Sequence, residues 1–280
     1  MNKIIAAFDG LSYSDSTKDF AIELARRSKA HLVGVFLDDF TRQSFSVAEV
    51  SRLEGSWSEE NYLSLKQKDA DLRNTAVASF EEDCRKAGVN YTLHRDRNVA
   101  LYELLHESIY ADLLIINNQE TLSRFEEKTP SRFIRDLLSE VQCPVLLVPS
   151  IYREIEKNII LYDGTPSSVY AVKMFNYLLP ALNNNETDVL TVKSLDESLH
   201  LPDKHLMKEF MRRHYPMAEY VIIKGDPEDK ILSYLDRQKK TSLVILGAYK
   251  RDRISRWFRP SMADTLASHI KLPLFIAHSK

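Results

Sequence analysis

The sequence predicts an α/β fold made of two tandem domains, each an open parallel sheet with helices on both faces. Three observations lead there. Short β-rich runs alternate with helical patterns along the whole chain. The runs are mostly apolar without strict alternation, as strands covered on both faces should be. Finally, the chain repeats itself. KIIAAFDGLSYSDSTKDFAIELA from Lys3 and NIILYDGTPSSVYAVKMFNYLL from Asn158 share an apolar run, an Asp-Gly step and a Ser-rich helix start. Asp9-Gly10 matches Asp163-Gly164 at an offset of 154, and Pro144 matches Pro273 at an offset of 129. The first unit is therefore longer by 25 residues. A repeat of this length marks duplicated domains, spanning 1–150 and 155–280; solenoid units are much shorter.

The elements follow in order. In the first unit, strands are expected near 3–8, 31–37, 89–94, 112–117 and 143–148. In the second they are expected near 158–162, 187–193, 219–223, 242–247 and 273–277. Polar caps mark helix starts: SMAD places Ser261 before a helix with Asp264 in its first turn, and DPEDKIL places Pro227 after Asp226. The junction SIYREIEK is short and poor in glycine, so the two units are expected to pack firmly together. The surplus of the first unit falls at about 38–88. It begins without pattern and ends in a helical stretch, 59–87, roughly 43 Å long at about 1.5 Å per residue. Tyr62, Leu65, Leu72, Ala76, Phe80 and Cys84 or Ala87 form its expected apolar stripe.

Composition narrows the function classes. A net charge of -2 gives no bulk attraction to nucleic acid or anionic membrane. No apolar run is long enough to span a bilayer, and the N-terminal one is too short for a signal-peptide core. Cys84 and Cys143 form no metal spacing, so buried free thiols in a reducing cytoplasm are expected. The eight histidines are scattered, and His200 and His205 lack the four-residue spacing of a helical metal pair. GxSxG, GxxxxGK[ST] and GxGxxG do not occur, and no catalytic constellation is expected.

One loop is locally basic. GAYKRDRISRWFRPS (247–261) follows an apolar run and precedes a helical pattern, with Lys250, Arg251, Arg253, Arg256 and Arg259 in it. Helix N-termini present free N–H groups to anions, so a phosphate ligand is conceivable here. Trp257 and Phe258 between arginines could stack bases, yet the near-neutral chain favours an interface role.

Asp-Gly after the first strand, a loop after the fourth and a final strand entered through proline occur in both units. Together they resemble the universal stress protein family, as a tandem of two such domains covering nearly the whole chain. The likeness is strongest at ILYDGTPSSVYAVKMF, KGDPEDKIL and LVILGAYKRDRISRWFRPSMADTLASHIKLPLFI. It implies five-stranded sheets of the adenine-nucleotide alpha-hydrolase type, ordered 3-2-1-4-5, with a ligand crevice where strands one and four part. ATP-binding members carry Gly-x2-Gly-x9-Gly-Ser/Thr. In that frame the second unit has Gly247, Lys250, Pro260 and Ser261; the first has Asn117, Glu120, Pro130 and Ser131. Proline supplies no N–H, and Glu120 would repel a polyphosphate, so ATP is not expected in the first unit.

The resemblance places Asp163, Gly164, Gly225, Gly247, Lys250 and Ser261 at a second-unit site for ATP or another adenine nucleotide. The same Asp-Gly steps would also serve as simple turn-making caps. The expectation is a cytoplasmic stress-response protein, not an enzyme, acting through an unknown protein partner. Its units would form an internal pseudo-dimer, and the chain could itself form a homodimer. An ATP-binding sensor using the second unit is the alternative.

Overall fold

A computed structural model describes residues 1–38, 44–45, 59–96, 99–123, 127–247 and 260–277. All the expected strands form. They are β1 (Lys3–Phe8), β2 (His31–Leu37), β3 (Tyr91–Asp96), β4 (Leu113–Asn117) and β5 (Val145–Val148). The second five are β6 (Lys157–Leu161), β7 (Glu186–Lys193), β8 (Glu219–Lys224), β9 (Ser242–Gly247) and β10 (Leu274–Ala277). The helices are α1 (Asp15–Ser28), α2 (Glu59–Ala87), α3 (Ala100–Ser108), α4 (Arg132–Glu140), α5 (Pro166–Leu178), α6 (Lys204–His214), α7 (Pro227–Leu235) and α8 (Pro260–His269).

The ten strands make one sheet, in the order β3-β2-β1-β4-β5-β10-β9-β6-β7-β8. Each half keeps the expected strand order 3-2-1-4-5, and the two halves join edge to edge into one sheet. Alone, β5 and β10 would each expose a row of unpaired N–H and C=O groups. Instead they pair antiparallel, Leu274 opposite Leu147 and Phe275 opposite Leu146. Every other neighbouring pair is parallel.

Successive residues of a strand face opposite sides, so one sheet feeds two core layers. Ile4, Ala6 and Phe8 join a layer with Phe20 and Leu24 of α1, Phe80 of α2, Phe175 of α5 and Met211 of α6. Ile5 and Ala7 join the other, with Leu104 of α3, Leu137 of α4, Ile231 of α7 and Leu266 of α8. Both layers run through both halves of the chain. The helix starts carry their own caps. Ser14, Ser131 and Thr165 accept from Thr17, Ile134 and Ser168 N–H groups, and Asp226 accepts from Glu228 and Asp229 ahead of Pro227.

Helix α2 has the expected span, but only its second half is seated. Ala76, Phe80 and Cys84 are buried, whereas Leu72 is 51% exposed and Leu63 56% exposed. Phe80 sits where a Cβ on Gly34 would come within 2.8 Å of its ring, so the helix reaches the sheet only because residue 34 is glycine. Further toward the N-terminus the contact is polar. Arg73 and Arg95 both reach the buried Asp38 carboxylate, at 3.2 and 3.0 Å. Asp69 accepts the Ser44 N–H at 3.0 Å. The expected stripe therefore ends where polar anchoring begins. Among the described residues, no helix is long and apolar enough to cross a membrane, and no His, Cys, Asp and Glu group could hold a metal.

Candidate functional site

Strands β1 and β4 are neighbours, yet their following helices lie on opposite faces of the sheet. Such a parting opens a crevice beyond the strands' carboxyl ends. A cleft of about 910 Å³ lies there, lined by the β1–α1 turn, the residues after β4, and Ser44. Sequence reasoning had favoured the other half of the chain.

The cleft is built from short-range hydrogen bonds. Asp9 is buried, and its Oδ1 accepts the Leu11 N–H at 2.9 Å, closing the turn that leads into α1. Asn117 ties the two strand ends together: its Nδ2 donates to Ser14 Oγ at 3.0 Å. Its Oδ1 accepts the Gln119 N–H at 2.8 Å and starts the loop. Glu120 turns inward and is buried. Its Oε1 accepts from two successive backbone groups, Thr121 and Leu122 N–H, each at 3.0 Å. Leu122 has φ 48°, in the left-handed region. Ser131 Oγ donates to the Glu120 carbonyl and accepts the Ile134 N–H, joining the loop to the start of α4. Beside it, Glu127 Oε2 accepts the Arg132 N–H at 2.8 Å. The Thr129–Pro130 peptide is cis.

The backbone N–H groups of Thr121, Leu122 and Arg132 are thus engaged by side chains of the chain itself. The electrostatics agree. Asp9, Asp15, Glu120 and Glu127 line the cleft, and among the described residues no Lys or Arg does. Four carboxylates disfavour a polyphosphate through like-charge repulsion. Tyr13, in the wall, lies tilted against Phe8 and stacks on Phe36. Burial, reinforced by Asp15 and Asp83, pushes its phenol pKa far upward, so it stays neutral.

In the second half, β6 and β9 are the corresponding neighbours. Asp163 follows β6 and Gly247 ends β9, so the structure brings these two together. Asp163 Oδ1 accepts the Thr165 N–H at 2.9 Å and the Thr165 hydroxyl at 2.6 Å, holding the cap of α5. Gly164 has φ +83°, and a Cβ there would lie 2.5 Å from Pro202 Cβ. Tyr162 OH donates to the Pro202 carbonyl at 3.2 Å, fixing that proline over the turn. A Cβ on Gly247 would lie 2.3 Å from the Ser167 carbonyl oxygen in the first turn of α5. Gly225, with φ +141°, lies two strands away after β8, and its N–H donates to Lys193 O at 2.9 Å. Each of these glycines therefore has a local packing or backbone reason. Ser261 stands in the first turn of α8. Lys250, like Arg251, Arg253, Arg256, Trp257, Phe258 and Arg259, lies outside the described residues.

No protein-family model matches the sequence, and no curated protein matches it. The fold has solved counterparts. A universal stress protein from Archaeoglobus fulgidus superposes with a TM-score of 0.70 at 12% identity, covering 99% of this chain and 98% of its own. The fold is that of the universal stress proteins. A functionally unknown protein from Pseudomonas aeruginosa matches with a TM-score of 0.61 at 11% identity, covering 99% of this chain and 92% of its own. In this chain Glu120 and Glu127 line the cleft at the β1/β4 parting.

The importance of Glu120 was only half legible. A glutamate at a glycine place of an anion loop signals repulsion. That it would bend back onto its own loop follows from the left-handed Leu122, for which the sequence carries no glycine or asparagine signal.

Proposed function

We propose that this chain is a tandem member of the universal stress protein family, acting in the cytoplasm through protein interaction rather than catalysis. Its first cleft does not take ATP. The observation that carries this reading is the double use of Glu120 and Glu127. Their carboxylates accept the N–H groups of Thr121, Leu122 and Arg132, which a phosphate would need. The ten-stranded sheet supports an internal pseudo-dimer, because the two halves share strand pairing as well as core. A homodimer could be built on the same halves.

A second reading keeps ATP or another adenine nucleotide in the second half. It is favoured by Asp163 and Gly247 at adjacent strand ends, with Ser261 opening α8 and Lys250 between them in sequence. Isothermal titration with ATP and AMP, at low salt with magnesium, separates the two. The interaction reading expects no saturable heat and no co-purified nucleotide by mass spectrometry. Binding near one per chain, lost in Lys250→Ala, would establish the second reading instead.

A further inference from the structure

We propose that the loop after β4 is an anion cradle with a permanent tenant, the chain's own Glu120 carboxylate. The inference rests on the first cleft being closed to ATP and says what closes it. Two successive N–H groups, with the second residue in the left-handed region, form a concavity that binds anions. Thr121 and Leu122 have this arrangement, and both donate to a single carboxylate oxygen, at 3.0 Å each. Hydrogen bonds to an ionised acceptor are roughly twice as strong as neutral ones. The carboxylate is also buried, so water competes weakly for it.

The tenant is held at its own backbone as well. Ser131 Oγ donates to the Glu120 carbonyl while capping α4, so the loop and the helix start move as one unit. Glu127 takes the Arg132 N–H and adds a second negative charge at the α4 start. A free phosphate must therefore displace a tethered carboxylate. The tethered group competes at an effective concentration far above that of any dissolved ligand. It must also approach a second fixed charge. On this view the loop did not lose its donors when it lost its glycines. It kept them and filled them.

The test vacates the cradle. Glu120→Ala and the double variant Glu120→Ala/Glu127→Gln are titrated with inorganic pyrophosphate beside the wild type, at low salt. The expected result is one further equivalent bound per chain in the double variant, at least about tenfold tighter than any wild-type binding at that site. Counting the increment keeps this separate from the second half. If the wild type itself binds ATP, the interaction reading falls while the increment still decides this one. No increment, with circular dichroism and melting temperature unchanged, overturns the proposal. Amide hydrogen exchange on the wild type gives an answer even if the variants fail to fold. The Thr121 and Leu122 amides should exchange at least about a hundredfold more slowly than unprotected loop amides. Exchange at the unprotected rate would refute the tenancy.

Discussion

Replacing Gly247 with alanine asks whether that glycine serves a ligand or the fold. The new Cβ would lie 2.3 Å from the Ser167 carbonyl oxygen and 2.5 Å from the Ser167 carbonyl carbon, where ordinary contacts begin at 3.4 Å. Both are backbone atoms, so no side chain can rotate away. The first turn of α5 must retreat by about 1 Å from β9 to make room. That turn is anchored: Thr165 caps it, and Ser167 and Ser168 are buried. Forced overpacking of this kind costs typically 1–3 kcal/mol, and an anchored backbone clash belongs at about 3 kcal/mol. For a chain of this size, each kcal/mol lowers the melting temperature by about 2–4 °C, so the expected drop is about 6–12 °C. Scanning calorimetry of the ligand-free variant measures it. A change below about 2 °C would refute the packing argument, and the glycine would then need a ligand to explain it.

Two further outcomes follow from titratable groups wholly or partly buried. Burial works against ionised Glu107, but hydrogen bonds from Lys3 at 3.1 Å and from His94 outweigh it and hold its pKa below the ordinary 4.5. A depressed folded pKa adds stability that is complete above 4.5 and is lost as pH falls through the lowered value. Glu107→Gln should therefore flatten the loss of stability below pH 4.5 in acid-titrated urea melts; an unaltered acid limb would count against the pairing. Cys84 and Cys143 are buried free thiols whose pKa values burial pushes up to about 12. Neither should react with a thiol reagent at pH 8 until denaturant is added, after which both should; rapid labelling of the native protein would contradict the core assignment.

The fold was legible because its signals are local and repeated. Mostly apolar runs without strict alternation marked the ten strands to within about two residues, since strands covered on both faces carry few polar residues. The duplication made each half a check on the other. Helix α2 was bounded well by its periodicity, but the stripe overreached at Leu72. Periodicity cannot tell that a polar anchor, Arg73 on Asp38, takes over from apolar packing. The union of the strands into one sheet was not legible. Pairing of β5 with β10 joins residues more than a hundred positions apart, and no local pattern encodes that. At the site, the glycine losses were plain in sequence, whereas the inward turn of Glu120 depended on a backbone conformation that leucine rarely adopts.

The antiparallel meeting of β5 and β10 has a geometric consequence. Within each half all strands point the same way, so reversing direction at the seam turns the halves end for end. The carboxyl ends of β1 and β4 and those of β6 and β9 then lie at opposite edges of the sheet. No small ligand can span them, and a partner seated at one edge leaves the other free. The sheet thus presents two separate strand-end surfaces, one from each half.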